Sequence, residues 1–260
     1  GGADKDIGVG ENLDHLGPGE HLRDPEDLQT VPLPQGLYVV ADGMGGHAAG
    51  EKASRDAIRA AFLEFVHSRI VPVLEGETRE LNPEGPGARL RQIVEKANQM
   101  VYESRMASGT DRGTTITAAL IAGNRAVVAN VGDSRTYRFR RGDREQELRK
   151  ITADHSIVAG LIQAGEISEE EAYSHPDRNQ IYRSLGATPD VQVDLFEEIV
   201  ASGDRLLLCS DGLWEMVRDP AIATVLRSTP NPQEACDRLV ALANQGGGED
   251  NISVIVVDMV

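Results

Sequence analysis

An α+β fold, with antiparallel sheets covered by helices on the outside, is the class this sequence predicts. Three observations carry the expectation. Aliphatic strand-like runs and helical patterns come in the order strand, helix, helix, many strands, helix, strand, without the strict alternation of a parallel α/β fold. Gly123-Asn124 separates two of the runs as a hairpin turn would, which makes that pair antiparallel. Hydrophobic residues make up 40% of the 260 but aromatics only 4%, so a core is available and has to be built from Val, Leu, Ile and Ala.

Taken in order, residues 37–41 form the first strand, a β-branched and aliphatic run. Ala53, Ala57, Ala61 and Phe65 then recur every four residues, with Ile58 and Phe62 beside them, as one face of a helix. Leu90, Ile93, Val94, Ala97 and Val101 mark a second helix, amphipathic and buried on one side. Strands are expected over 114–122, 125–131, 136–140, 192–199 and 205–209. A third helix over 232–244 places Ala235, Leu239, Leu242 and Ala243 on one face, and 251–257 closes the chain as a strand. The Pro- and Gly-rich stretches 15–36 and 72–88 read as insertions, because neither divides two complete patterns. Residues 1–260 are therefore expected to form a single domain.

Charge excludes whole classes of function. Asp and Glu number 42 against 26 Lys and Arg, a formal balance of −16. Such a chain repels polyanions, so neither nucleic acid nor an anionic membrane is an expected partner. The longest basic cluster, Arg138, Arg140, Arg141 and Arg144, is interrupted by Asp143 and Glu145. Two cysteines, Cys209 and Cys236, support neither a disulfide framework nor a cysteine zinc site and fit small core positions in a reducing cytoplasm. No run approaches the roughly 18 apolar residues of a membrane span, and the opening Gly1-Gly2-Ala3-Asp4-Lys5 does not read as a signal peptide.

The informative pattern is what ends the apolar runs. Residues 37–41 stop at Asp42-Gly43, 206–210 at Asp211-Gly212, and 127–131 at Gly132-Asp133, while Asp250-Asn251 leads into the last strand. Asp-Gly is an ordinary turn dipeptide, so one such pair means little. Four at strand ends, if those ends share one side, bring like charges together without Lys or Arg to pair them. A hard divalent cation with oxygen ligands relieves that repulsion, which favours magnesium or manganese. There is no HExxH, no Cys cluster and no close His pair for zinc. Gly43-Met44-Gly45-Gly46 lacks both the GxGxxG spacing and a Walker lysine, which argues against nucleotide sites of those kinds.

At this point the residues resemble a known family. The segment from Ala41 through Asp42-Gly43-Met44-Gly45-Gly46-His47 to Glu51 looks like the signature of bacterial metal-dependent protein phosphatases, the type 2C serine/threonine phosphatases. Gly113-Thr114-Thr115, Gly132-Asp133-Ser134-Arg135, Thr152-Ala153-Asp154-His155-Ser156, His175-Pro176-Asp177-Arg178-Asn179, Arg183-Ser184-Leu185-Gly186, Ser210-Asp211-Gly212-Leu213 and Asp250-Asn251 follow in the family's order over about residues 37–257. The resemblance implies a four-layer α-β-β-α sandwich of two antiparallel sheets flanked by helix pairs. It also implies two Mn or Mg ions, with Asp42 bridging both, Gly43 giving its carbonyl to one, and Asp211 and Asp250 holding the other. A third, weaker ion would sit at Asp133 with help from Asp211. Asp42, Asp211 and Asp250 then carry the catalysis: a metal-bridged water hydrolyses phosphoserine or phosphothreonine in proteins, without a covalent phosphoenzyme. The expected substrates are phosphoproteins made by a cognate kinase, and the expected state is a monomer.

The opening segment departs from the pattern. Asn12 and Asp14 fit, which adds Asp14 to the implied metal site, but Leu13 replaces an acid or amide. No Arg precedes Asn12 to hold the substrate phosphate, leaving Lys5 or Arg23 as substitutes. Met44 stands where many eukaryotic members carry a histidine, so water or another group has to protonate the leaving alkoxide. His47 reads as a helix-start residue, His155 and His175 as structural or flap-anchoring groups, and Thr114, Thr115 and Ser134 as structural groups around the site. Trp214 and Tyr182 read as packing. Residues 157–175, with the acidic run Glu166, Glu169, Glu170 and Glu171, match the family's flap beside the site. Two rival functions remain at this stage: a weak or inactive relative that senses phosphoproteins or metal, and a phosphodiesterase or small-molecule phosphatase.

Overall fold

The computed structural model describes residues 35–70, 85–142 and 147–260. In chain order the elements are β1 (Gln35–Val40), β2 (Gly43–Met44), α1 (His47–Phe65, continued by a π-helical turn over Val66–Ile70), α2 (Gly85–Ser108), β3 (Gly113–Thr114), β4 (Ile116–Ala122), β5 (Arg125–Val131), β6 (Arg135–Phe139) and β7 (Leu148–Lys150). They continue with α3 (Ile157–Gln163), α4 (Glu169–Ala172), β8 (Asp194–Ile199), β9 (Arg205–Cys209), α5 (Asp211–Trp214), α6 (Asp219–Ser228), α7 (Pro232–Gln245) and β10 (Val254–Asp258). Two four-stranded sheets, ordered β1-β4-β5-β8 and β10-β9-β6-β7, carry only antiparallel pairs, and β2 pairs with β3. This is the expected α+β sandwich.

Strand periodicity explains the layering. Successive side chains of a strand face opposite ways, so a strand covered on both faces feeds two separate cores. In β5, Val127, Ala129 and Val131 pack outward with Ile116, Ala118 and Leu120 of β4 against Leu90, Ile93, Val94 and Ala97 of α2 and the alanines of α1. Ala126 and Val128 turn the other way and meet Leu206 and Leu208 of β9 between the sheets. Leu207 and Cys209 of β9, with Tyr137 and Phe139 of β6, pack outward on α6 and α7. Ala53, Ala57 and Ala61 of α1 are fully buried, and their small side chains let the helix lie close to α2.

Several expectations shift in detail. The strand expected over 114–122 is two strands, because Thr115 leaves the ladder to bond Asp42. Phe62, read beside the buried face of α1, is 43% exposed. The helix α6 was not anticipated, although Pro220 in its first turn and the spacing of Ile222, Val225 and Leu226 are helix signals. Residues 157–175 contain α3 and α4, capped by Ser156 and Ser168, and Glu171 of the acidic run closes a capping box with Ser168. Among the described residues no helix is long and apolar enough to cross a membrane.

The three-core arrangement predicts unequal responses to truncation. Leu208→Ala, between the sheets, is expected to lower the unfolding free energy by about 2–5 kcal/mol. Ile199→Ala, on the exposed face of β8, should stay within about 0.5 kcal/mol. Urea denaturation of both variants reads the difference, and equal small shifts would contradict an inner core at Leu208.

Candidate active site

Strand direction brings the carboxylates to one edge. β1 and β5 each run antiparallel to β4, so their C-terminal ends, followed by Asp42 and by Gly132-Asp133, point the same way. In the second sheet β9 and β10 are antiparallel, with Cys209 opposite Val254, so Asp211 after β9 and Asp250 before β10 also meet at one end. Asp42, Gly43, Asp133, Asp211 and Asp250 all line a single cavity of about 160 Å³. Met44, Thr115, Asn179 and Ile181 complete its wall.

Hydrogen bonds from neighbouring residues root each acid. Asp42 donates its backbone N–H to the Thr115 hydroxyl at 3.0 Å, and its carbonyl accepts from the Thr115 N–H and the Thr114 hydroxyl, each at 2.8 Å. The Thr115 and Ser134 hydroxyls meet at 2.7 Å, tying the Asp42 turn to the residue after Asp133. On the other side Ser210 donates to the Asn251 carbonyl and accepts from the Ser253 N–H, which joins the Asp211 and Asp250 segments. Close approach requires glycine twice: a Cβ on Gly43 would stand 2.0 Å from the Gly50 carbonyl oxygen, and one on Gly212 would stand 2.2 Å from that of Asn251.

His155 holds the Asp133 turn. Its Nδ1 accepts from the Gly132 N–H at 3.0 Å, and its own backbone N–H donates to the Gly132 carbonyl. With Nδ1 accepting, the ring proton is assigned to Nε2, which faces Asp194 at 3.0 Å; Arg183 also donates to Asp194. Burial pulls the His155 pKa below its ordinary value, more than the Asp194 hydrogen bond raises it, so the ring is neutral.

The cavity is electrostatically strained. Burial first, then the charge of Asp211 and a proton shared with it, then Asp250 and Asp133, push Asp42 up to about 10. Burial and Asp211 push Asp133 up to about 7. Asp211 is raised mainly by burial, and one of its oxygens, Oδ1, is buried without a hydrogen-bond partner. Glu215, one helical turn after Asp211, rises to about 7 through burial and the charge of Asp211. No Lys, Arg or His stands among the described residues lining the cavity. Among those residues no three His, Cys, Asp or Glu side chains are drawn close enough to form a finished cation shell. The donors are thus all hard oxygens around an open space, a set that fits a divalent cation whose remaining ligands are water.

Asp42, Gly43, Asp133, Asp211 and Asp250 are therefore brought together as the strand-end pattern anticipates. Asp14, Leu13, Lys5 and Arg23 lie outside the described residues. His175 stands away from the cavity wall, and its Nδ1 accepts from the Asp177 N–H at 3.1 Å. Asn179 ends the motif His175-Pro176-Asp177-Arg178-Asn179, which does not by itself assign it to the cavity, and no local sequence signal places Ile181 there. Glu215 could have been found from its i+4 spacing to Asp211 on a helical turn.

Raised carboxylate pKa values have a definite sign in stability. The folded form binds protons that the unfolded chain has released, so metal-free stability falls as pH climbs from about 4 towards the folded values. The neutral His155 opposes this near its ordinary value, so a variant comparison isolates the acids. Without metal, Asp42→Asn should melt above the wild type at pH 8 by on the order of 5 °C, with the gap narrowing towards pH 5. Thermal melts across that range check it, and a wild type more stable than the variant at pH 8 would contradict it.

Known proteins place the chain. The profile of the family described as protein phosphatase 2C matches residues 14–244. A serine/threonine phosphatase, stp, of Listeria monocytogenes is 38% identical over 226 residues, 86% of this chain and 84% of its own length. The crystal structure of the Mycobacterium tuberculosis serine/threonine phosphatase PstP/Ppp superposes with a TM-score of 0.72 at 39% identity, covering 86% of this chain and 88% of that one. The catalytic domain of PstP in complex with two manganese ions gives 0.70 at 38% identity, covering 85% and 86%. With the profile running through most of the chain and relatives this similar along their length, this protein belongs to the protein phosphatase 2C family.

Proposed function

We propose that this chain hydrolyses phosphoserine and phosphothreonine in proteins, using divalent manganese or magnesium held at the carboxylate cavity. Its class, a metal-dependent serine/threonine protein phosphatase, is that of its family. The observation that carries the reading is a set of mutually repelling carboxylates lining one cavity, with Asp211 Oδ1 buried and left unpartnered. Asp42, the Gly43 carbonyl, Asp211 and Asp250 would hold two ions, and Asp133 with Asp211 a weaker third; Asp14 belongs to the same set by its motif. Bound there, the ions supply a water nucleophile of lowered pKa and neutralise charge on the phosphoryl oxygens.

The chain itself binds, orients and manages protons. Crowding holds Asp42 well above the usual carboxylate range, so its proton would have to leave for its oxygens to serve as cation ligands. Met44 presents a thioether with no acidic proton, so the leaving alkoxide takes its proton from water or another group. Asn179 offers an amide and Ile181 an apolar contact on the outer wall, where the peptide on either side of the phosphoresidue would pass. Such substrates are the products of a serine/threonine kinase, whose phosphoester-forming reaction this one reverses. The chain would act as a monomer in the cytoplasm, where the free thiols Cys209 and Cys236 stay reduced.

Manganese-dependent release of phosphate from p-nitrophenyl phosphate and a phosphothreonine peptide is the expected result, with phosphotyrosine and cyclic nucleotides turned over more slowly. Asp42→Ala and Asp211→Ala should each lower kcat/KM by on the order of 10³-fold or more while remaining folded. Metal binding without turnover would instead favour a phosphoprotein or metal sensor.

A further inference from the structure

We propose that Trp214 is a positioning residue that fixes Asp133 relative to Asp211 and so sets the affinity of the weaker metal site; the inference rests on the function proposed above. Trp214 is the chain's single tryptophan and is buried. It ends the one-turn helix α5 that Asp211 begins, so the two residues move together. Its indole Nε1 donates to the backbone carbonyl of Asp133 at 3.0 Å, a good geometry for a neutral hydrogen bond.

The ring is gripped from the same tripeptide. The guanidinium carbon of Arg135 lies 3.5 Å from the ring centroid, a cation–π contact. Arg135 is itself locked, with Nη2 donating to Asp154 at 2.7 Å, Nε reaching both Asp154 oxygens, and Nη1 donating to the Tyr137 hydroxyl at 3.1 Å. Trp214 therefore holds the segment 133–135 at both ends. Asp133 needs such a clamp. It follows Gly132, whose φ of +105° is open mainly to glycine, and Asp133 is pushed by the charge of Asp211. His155 fixes the peptide before Asp133, and Trp214 fixes the peptide after it.

A packing role and a positioning role separate on one atom. Trp214→Phe keeps an aromatic ring near Arg135 and removes the N–H, leaving the Asp133 carbonyl without that donor. Calorimetric titration of Mn²⁺ into the metal-free protein should show the weaker site loosened about tenfold, the usual scale for a group that orients a ligand, with the tighter sites unchanged. In the wild type, Mg²⁺ should also change the emission of Trp214 at the concentration that fills the weaker site, and Asp133→Asn should abolish that phase. The emission arm decides the matter should Trp214→Phe fail to fold. Unchanged affinity at every site in Trp214→Phe, or emission blind to the weaker site in a wild type that binds metal, overturns the proposal. A wild type that takes up no metal overturns the functional reading itself, and is recognised because it fails before any variant is compared.

Discussion

Four carboxylates line one cavity and repel one another, Asp133 buried, Asp42 and Asp211 half-buried and Asp250 at its exposed rim, and the rest of the molecule is arranged to hold them there. No cation from the described part of the chain lines the cavity to relieve them. A flexible set of acids would splay apart into water. Here Asp42 and Asp133 follow strands, Asp211 starts a helical turn, Asp250 lies in the bend before β10, and these segments are joined. Asp42 bonds Thr115, Thr115 bonds Ser134 beside Asp133, Asp133 bonds Trp214 on the turn that begins with Asp211, and Ser210 bonds the residue after Asp250. That relay crosses from one sheet to the other and would be broken by sliding them.

The layered fold supplies the rigidity. Strands such as β5 and β9 are buried on both faces, so a shift that moves Asp133 or Asp211 would disturb two apolar cores at once. The stability gained in those cores offsets the destabilisation at the cavity, as is common where function needs strained groups. The same logic reconciles the surface with the site. A chain with a balance of −16 repels anions over most of its surface, yet divalent cations in the cavity would reverse the local sign and admit a phosphate.

The strand-end acids were legible in sequence because both signals are local: an aliphatic run of period two and the dipeptide that stops it. The register that brings them to one edge is tertiary, and it became readable only through the family's ordered motifs. The break at Thr115 was hidden because Thr is a good strand residue; what removes it from the ladder is a partner 73 positions away, Asp42. Asn179 and Ile181 reach the cavity through the path of an irregular segment, which has no periodicity to read. Trp214 was legible as packing, and the direction of its N–H was not. The helix α6 carried its signals openly in Pro220 and the Ile222–Leu226 spacing.

Proton release on metal uptake tests the central claim most directly, because it asks whether the acids are held protonated by confinement until cations replace the protons. Titration of Mn²⁺ into the metal-free protein at pH 7, repeated in buffers of different ionisation enthalpy, measures it. The heat should depend on the buffer, with about one proton or more released as the sites fill, and Asp42→Asn should release fewer. Metal binding whose heat is the same in every buffer would contradict the account.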